Sequence, residues 1–146
     1  MTNKSLGQHI KVSDFEKLVH SVLFRNDTSG TSIVNPKSIK IHELAEKSIS
    51  INMPANSCVS GHNVTLFIFQ GLMKEKIKHI PQNGKLKNCF EIVGKVREVT
   101  HLEDRNDVNV DIHFSQYDIR GWKKISDQYE KQQEKINQLF LQKSQS

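Results

Sequence analysis

The sequence predicts an α+β domain that is mainly β: a cluster of short strands set between an N-terminal and a long C-terminal amphipathic helix. Three observations carry that prediction. Apolar residues recur at helical spacing from Phe15 to Leu23, and again at intervals of three and four from Trp122 to Leu139. Between them, apolar and polar residues alternate with period two, most cleanly at Val108, Val110, Ile112 and Phe114. Helices and one-sided strands produce these two periods because of where successive side chains point.

Each element follows in order. Residues 1–12 show no sustained period and form a loose lead-in. Ser13 and Glu16 make a capping box, and Phe15, Leu18, Val19, Val22 and Leu23 follow with one apolar face, so a helix is expected over 13–25. Asn26 to Gly30 ends it in turn-forming residues. The strands occupy 31–115. Thr31 to Val34 is a short one, stopped by Asn35 and Pro36. Ile39 and Ile41 alternate with Lys40 and His42, and Ile49, Ile51 and Met53 with Ser50 and Asn52, with residues 42–48 as their connection. Val64 to Phe69 (VTLFIF) is β-branched and aromatic throughout and predicts a strand covered on both faces.

The lysine-rich stretch from Gly71 to Lys87 reads as an exposed loop. Phe90 to Thr100 is a long strand in which Gly94 marks a bulge or a close backbone approach. His101 to Asp107 connects it to the alternating strand from Val108. A helix over 118–143 closes the chain. Its stripe of Trp122, Ile125, Tyr129, Gln132, Ile136 and Leu139 suits packing on the sheet, and equally a self-association seam through which two copies would pair, with Gln132 as a polar register device.

Composition bounds the function. At 146 residues, 36% hydrophobic and 25% charged, the chain fits one globular domain, 13–143, without room for a second core. No apolar run approaches the ~20 residues of a membrane helix, so no membrane insertion is expected. Two cysteines, Cys58 and Cys89, make no disulfide framework, and the polar start lacks the apolar core of a secretory signal, so a reducing cytoplasm is the expected location. The net charge of +5 comes from 21 basic residues, of which only Arg25, Arg97, Arg105 and Arg120 are arginine. Lysine solubilises as a point charge, whereas bidentate phosphate recognition leans on arginine.

No catalytic or metal motif is present. The seven histidines (His9, His20, His42, His62, His79, His101 and His113) include no pair four apart, and no CxxC, HxxH or HExxH occurs. Neither a Walker A nor a GxGxxG loop is found. Cys58, Ser60 and His62 are near in sequence, which does not make a triad. The expectation is a non-enzyme without cofactor.

Four segments resemble the PilZ family of small β-barrels. ELAEKSISINMP (Glu43 to Pro54) looks like its D-x-S-x-x-G-x-x-x-x-x-P segment, FEIVGKVREV (Phe90 to Val99) and VNVDIHFSQYD (Val108 to Asp118) like its late strands, and YEKQQEKINQLF (Tyr129 to Phe140) like its closing helix. The resemblance implies an antiparallel barrel and a bacterial signalling role, since members typically act as receptors for cyclic di-GMP. It also implies where the ligand site would be, and there this chain departs from the pattern. The paired arginines R-x-x-x-R are missing: Arg25 is the only arginine before the barrel, and Ser21 stands four residues earlier. Glu43 replaces the aspartate, Ala45 the serine and Ser48 the glycine.

Two readings follow: an adaptor acting through a protein partner with cyclic di-GMP bound weakly or not at all, or a receptor using Arg25, Lys37, Glu43 and Ser48 in a rebuilt site. A third is a basic single-stranded nucleic-acid-binding barrel. It is disfavoured because aromatics are 7% of the chain and Phe67, Phe69, Phe90 and Phe114 sit in apolar runs.

Overall fold

The computed structural model describes residues 10–11, 20–71, 80, 89–103 and 106–145. Its strands are β1 (Ile10–Lys11), β2 (His20–Asn26), β3 (Ser32–Ile33), β4 (Lys40–Leu44), β5 (Ser48–Pro54), β6 (Asn63–Gln70), β7 (Phe90–His101) and β8 (Asp107–Gln116). A 3-10 turn covers Pro36–Ser38, and one long helix, α1, covers Ile119–Gln145. The strands form one antiparallel sheet in the order β1-β4-β5-β8-β7-β6-β2-β3. Strands β2 and β4 lie far apart in that order, yet Val22 and Phe24 of one and Ile41 and Leu44 of the other share a single apolar core. The sheet therefore curls into a half-barrel. It does not close, since β1 and β3 remain as its two ends; the mainly β, antiparallel curl agrees with the small barrel that the resemblance implied, and closure is the part that differs.

The alternating strands fold as their sequence dictates. Ile49, Ile51 and Met53 of β5 and Val108, Val110 and Ile112 of β8 all point into the core, with polar residues between them facing outwards. In β6, Val64 to Ile68 are buried on both faces. Its inward residues Val64, Leu66 and Ile68 join the main core, while Phe67 packs with Leu23 and Ile80 in a smaller cluster on the outer face. Gly94 is both a bulge and a close approach. The β7–β8 register shifts between Val93 and Gly94, and a Cβ at Gly94 would lie 2.5 Å from the His113 carbonyl oxygen.

The N-terminal helix expected over 13–25 is corrected where it is described: His20 to Asn26 is strand β2, paired along its length with β6. Residues Ser21 to Asn26 are buried on both faces, so the strand shows no period-two alternation. A short apolar run of this kind matches a helical spacing by accident. The capping box at Ser13 and Glu16 lies outside the described residues, as does most of the loop expected over 71–87. The connection expected over 42–48 is shorter than its sequence suggests, because His42 to Leu44 complete β4 and Ser48 opens β5.

Helix α1 begins at a polar stop. The Asp118 carboxylate accepts from Arg120 N–H at 3.1 Å, and its carbonyl accepts from Trp122 N–H at 3.0 Å. Trp122 then enters the core at 3% exposure, stacked on Phe90 and edge-on to Phe114. Tyr129, two turns on, is fully buried.

Candidate functional site

The residues singled out from sequence fall in three places. Arg25 points from β2 to the outer face of the sheet, beside Thr65 of β6. It is nonetheless only 7% exposed. Its Nε donates to Asp27 Oδ1 at 2.6 Å and its Nη2 to Thr65 Oγ1 at 3.2 Å, while Thr65 donates to the second Asp27 oxygen at 2.6 Å. The guanidinium also lies 5.3 Å from the Phe67 ring centre. An arginine held by a carboxylate, a hydroxyl and a ring face is committed to the fold. Lys37 is exposed in the 3-10 turn, where its backbone N–H caps onto Asn35 Oδ1 at 3.1 Å.

Glu43 and Ser48 do come together. They line a cleft of about 240 Å³ with His42, Ala45, Ser50, Glu98, Asn109 and Asp111. Its floor is a row across four strands: Glu43 pairs with Ser50, Ser50 with Asp111, and Asp111 with Glu98. A bulge after Ile41 puts Glu43 in that row, and the irregularity between Val96 and Glu98 does the same for Glu98. Ser50 Oγ is buried there with no hydrogen-bond partner among the described residues. Neither Arg25 nor Lys37 lines the cleft. Its charge therefore comes from three carboxylates, with His42 Nε2 3.7 Å from Glu43. Such a lining attracts cations and hydrogen-bond donors and repels phosphate.

The third place is the α1 stripe. Trp122 and Tyr129 are buried in the domain's own core and Ile125 packs partly against it, while Leu139 is 59% exposed. The side chains of Gln132 and Ile136 lie outside the described residues. The first half of the seam is thus used inside the chain.

Sequence reasoning did not single out a second concavity, a groove of about 420 Å³ between α1 and the adjoining ends of β2, β6 and β7. It is lined by His20, Ile68, Gln70, Cys89, Phe90, Gly121, Lys124, Ile125 and Gln128. In it His20 Nδ1 lies 2.6 Å from the Tyr129 hydroxyl. Burial lowers the His20 pKa from its ordinary value and pushes that of Tyr129 up to about 12. Gln128 Oε1 is buried without a partner among the described residues. The only sequence signal was Tyr129 in the apolar stripe, because the histidine that meets it is 109 residues away.

Among the described residues no three His, Cys, Asp or Glu side chains are grouped to hold a metal ion, and no helix is long and apolar enough to cross a membrane.

A curled antiparallel half-barrel closed by a C-terminal helix is the architecture these elements define. The solved structure of the Bacillus subtilis inhibitor of motility (MotI/DgrA) shares it, with a TM-score of 0.51 and 11% sequence identity over 82% of this chain. The match takes in 51% of the inhibitor, so the chain spans about half the length of that protein. No protein-family profile and no curated protein sequence matches the chain.

Proposed function

We propose that this chain is a non-catalytic, PilZ-like module of a bacterial cytoplasmic signalling pathway, acting by contact with a protein partner and binding cyclic di-GMP weakly or not at all. The fold supports the PilZ-like part, since the similar half-barrel belongs to a PilZ-domain protein that inhibits motility. The observation that carries the rest is the acidic cleft. The Glu43–Ser48 segment, where the resemblance would place the nucleotide, opens onto Glu98 and Asp111. The two phosphate charges of a cyclic dinucleotide would meet those carboxylates with no arginine to offset them. Arg25 is spent on Asp27 and Thr65.

Calorimetric titration with cyclic di-GMP at moderate salt tests this. No heat and no rise in melting temperature are expected. Micromolar or tighter binding that Glu98→Lys or Asp111→Lys leaves unimproved would overturn the reading and make the chain a receptor with another site.

A further inference from the structure

A polar contact between the sheet and α1 is the hydrogen bond between His20 Nδ1 and the Tyr129 hydroxyl, with the two rings 5.5 Å apart. Tyr129 is wholly buried, so it reaches His20 only while α1 is docked. In the tautomer with its proton on Nε2, the neutral imidazole accepts the phenol's proton at Nδ1. Protonation would turn Nδ1 into a donor and place a cation in the groove.

Among the described residues, no carboxylate lines the groove to answer that charge. Its ionisable lining residues besides His20 are Lys124 of α1 and Cys89, which precedes β7; the β6 residues Ile68 and Gln70 are not ionisable. Asp127 and Glu130 of α1 do not line it; Glu91 of β7 pairs with Phe67 and does not line it either, although its carboxylate acts on the Cys89 thiol. The Cys89 thiol is pushed up to about 11, so it stays neutral and supplies no anion. The other described histidines are placed differently: His101 and His113 are exposed, His42 sits beside Glu43, and His62 Nδ1 meets Asn26.

We propose that the His20–Tyr129 contact is a pH-sensitive latch: neutral His20 holds α1 on the sheet, and protonation of His20 releases it. The sign follows from linkage. Once α1 is undocked, the imidazole recovers its ordinary pKa of 6.5 and binds a proton more readily than in the docked state. Docking is at full strength above that value. Below it, the docking constant falls by up to about tenfold per pH unit until His20 also titrates in the docked state.

Trp122 is the sole tryptophan and lies on the same face of α1, so its emission reports docking directly. Between about pH 7.5 and pH 5, emission of the full chain should shift to the red with a midpoint below 6.5 while the far-ultraviolet strand signal persists. His20→Gln should abolish the shift. Lys124→Glu, at an exposed position, puts a carboxylate beside the imidazolium and should move the midpoint to lower pH. An unshifted emission, simultaneous loss of the strand signal, the same midpoint in His20→Gln, or no displacement in Lys124→Glu would overturn the proposal.

Discussion

The indole N–H of Trp122 donates to the main-chain carbonyl of Ala45 at 2.9 Å, across 77 residues of sequence. The bond ties the first turn of α1 to the β4–β5 connection, so the helix is held by a directed contact as well as by apolar burial. Ala45 also donates its own N–H to the Ser48 carbonyl at 3.0 Å, which makes the connection a tight, preformed acceptor.

Removing the indole should therefore cost both kinds of contact. Trp122→Phe keeps most of the apolar area and should lose about 1–2 kcal/mol, because the Ala45 carbonyl forfeits its donor. Trp122→Ala should lose about 3–5 kcal/mol. Urea unfolding followed by circular dichroism measures both, and equal losses would mean that the hydrogen bond contributes nothing.

Gly94→Ala should destabilise the domain by about 1–3 kcal/mol, since the added Cβ meets the His113 backbone at 2.5 Å. Gly121→Ala is the informative comparison. There the close neighbour is the Phe90 ring, a side chain that can turn, and alanine gains about 1 kcal/mol of helix propensity. Thermal melts of the two variants should rank Gly94→Ala as clearly the worse.

Asp27→Ala should remove the carboxylate that faces the nearly buried Arg25 guanidinium and cost about 2–3 kcal/mol, less than a fully buried pair because the Asp27 side chain is 28% exposed. Arg25→Ala should also reduce stability, with loss of the Thr65 contact. Both effects should appear in chemical denaturation without any nucleotide present.

Alkaline pH should weaken the fold. Burial raises the thiols of Cys58 and Cys89 from 9.0 to about 11 and the Tyr129 hydroxyl from 10.0 to about 12. The folded state therefore holds these protons more tightly than the unfolded chain. Stability contributed by the thiols is complete below pH 9 and declines between about 9 and 11, and that from Tyr129 declines between about 10 and 12. Melting temperatures across that range should fall, and Cys58→Ala with Cys89→Ala should flatten the first part of the decline.

Much of the sheet was legible because its strands have one wet face. At Val108, Val110 and Ile112 the alternation is a direct imprint of a core on one side. Strand β2 was misread for the opposite reason. Covering both faces of Ser21 to Asn26 erased the alternation, and the apolar residues left over fitted a helix. Gly94 was legible because only a residue without a Cβ allows β8 so near.

The candidate sites were less legible. Arg25 reads in sequence as a surplus cation, whereas Asp27, two residues on, and Thr65, 40 residues away, decide that it is structural. The acidic row arises from the pairing of four strands, and neither Glu98 nor Asp111 has a local signal announcing that they stand opposite one another. The His20–Tyr129 contact joins the two ends of the described domain, beyond the reach of any local periodicity.

Helix α1 has a mechanical consequence. Among the described side chains its buried anchors are Trp122 and Tyr129, and its backbone continues to Gln145. At 1.5 Å per residue, the part beyond Tyr129 is about 24 Å long. A tilt of roughly 10° at the anchors would swing the far end by about 4 Å, on that same rise per residue. Any tilt about these two residues is therefore magnified in proportion to distance along the helix axis.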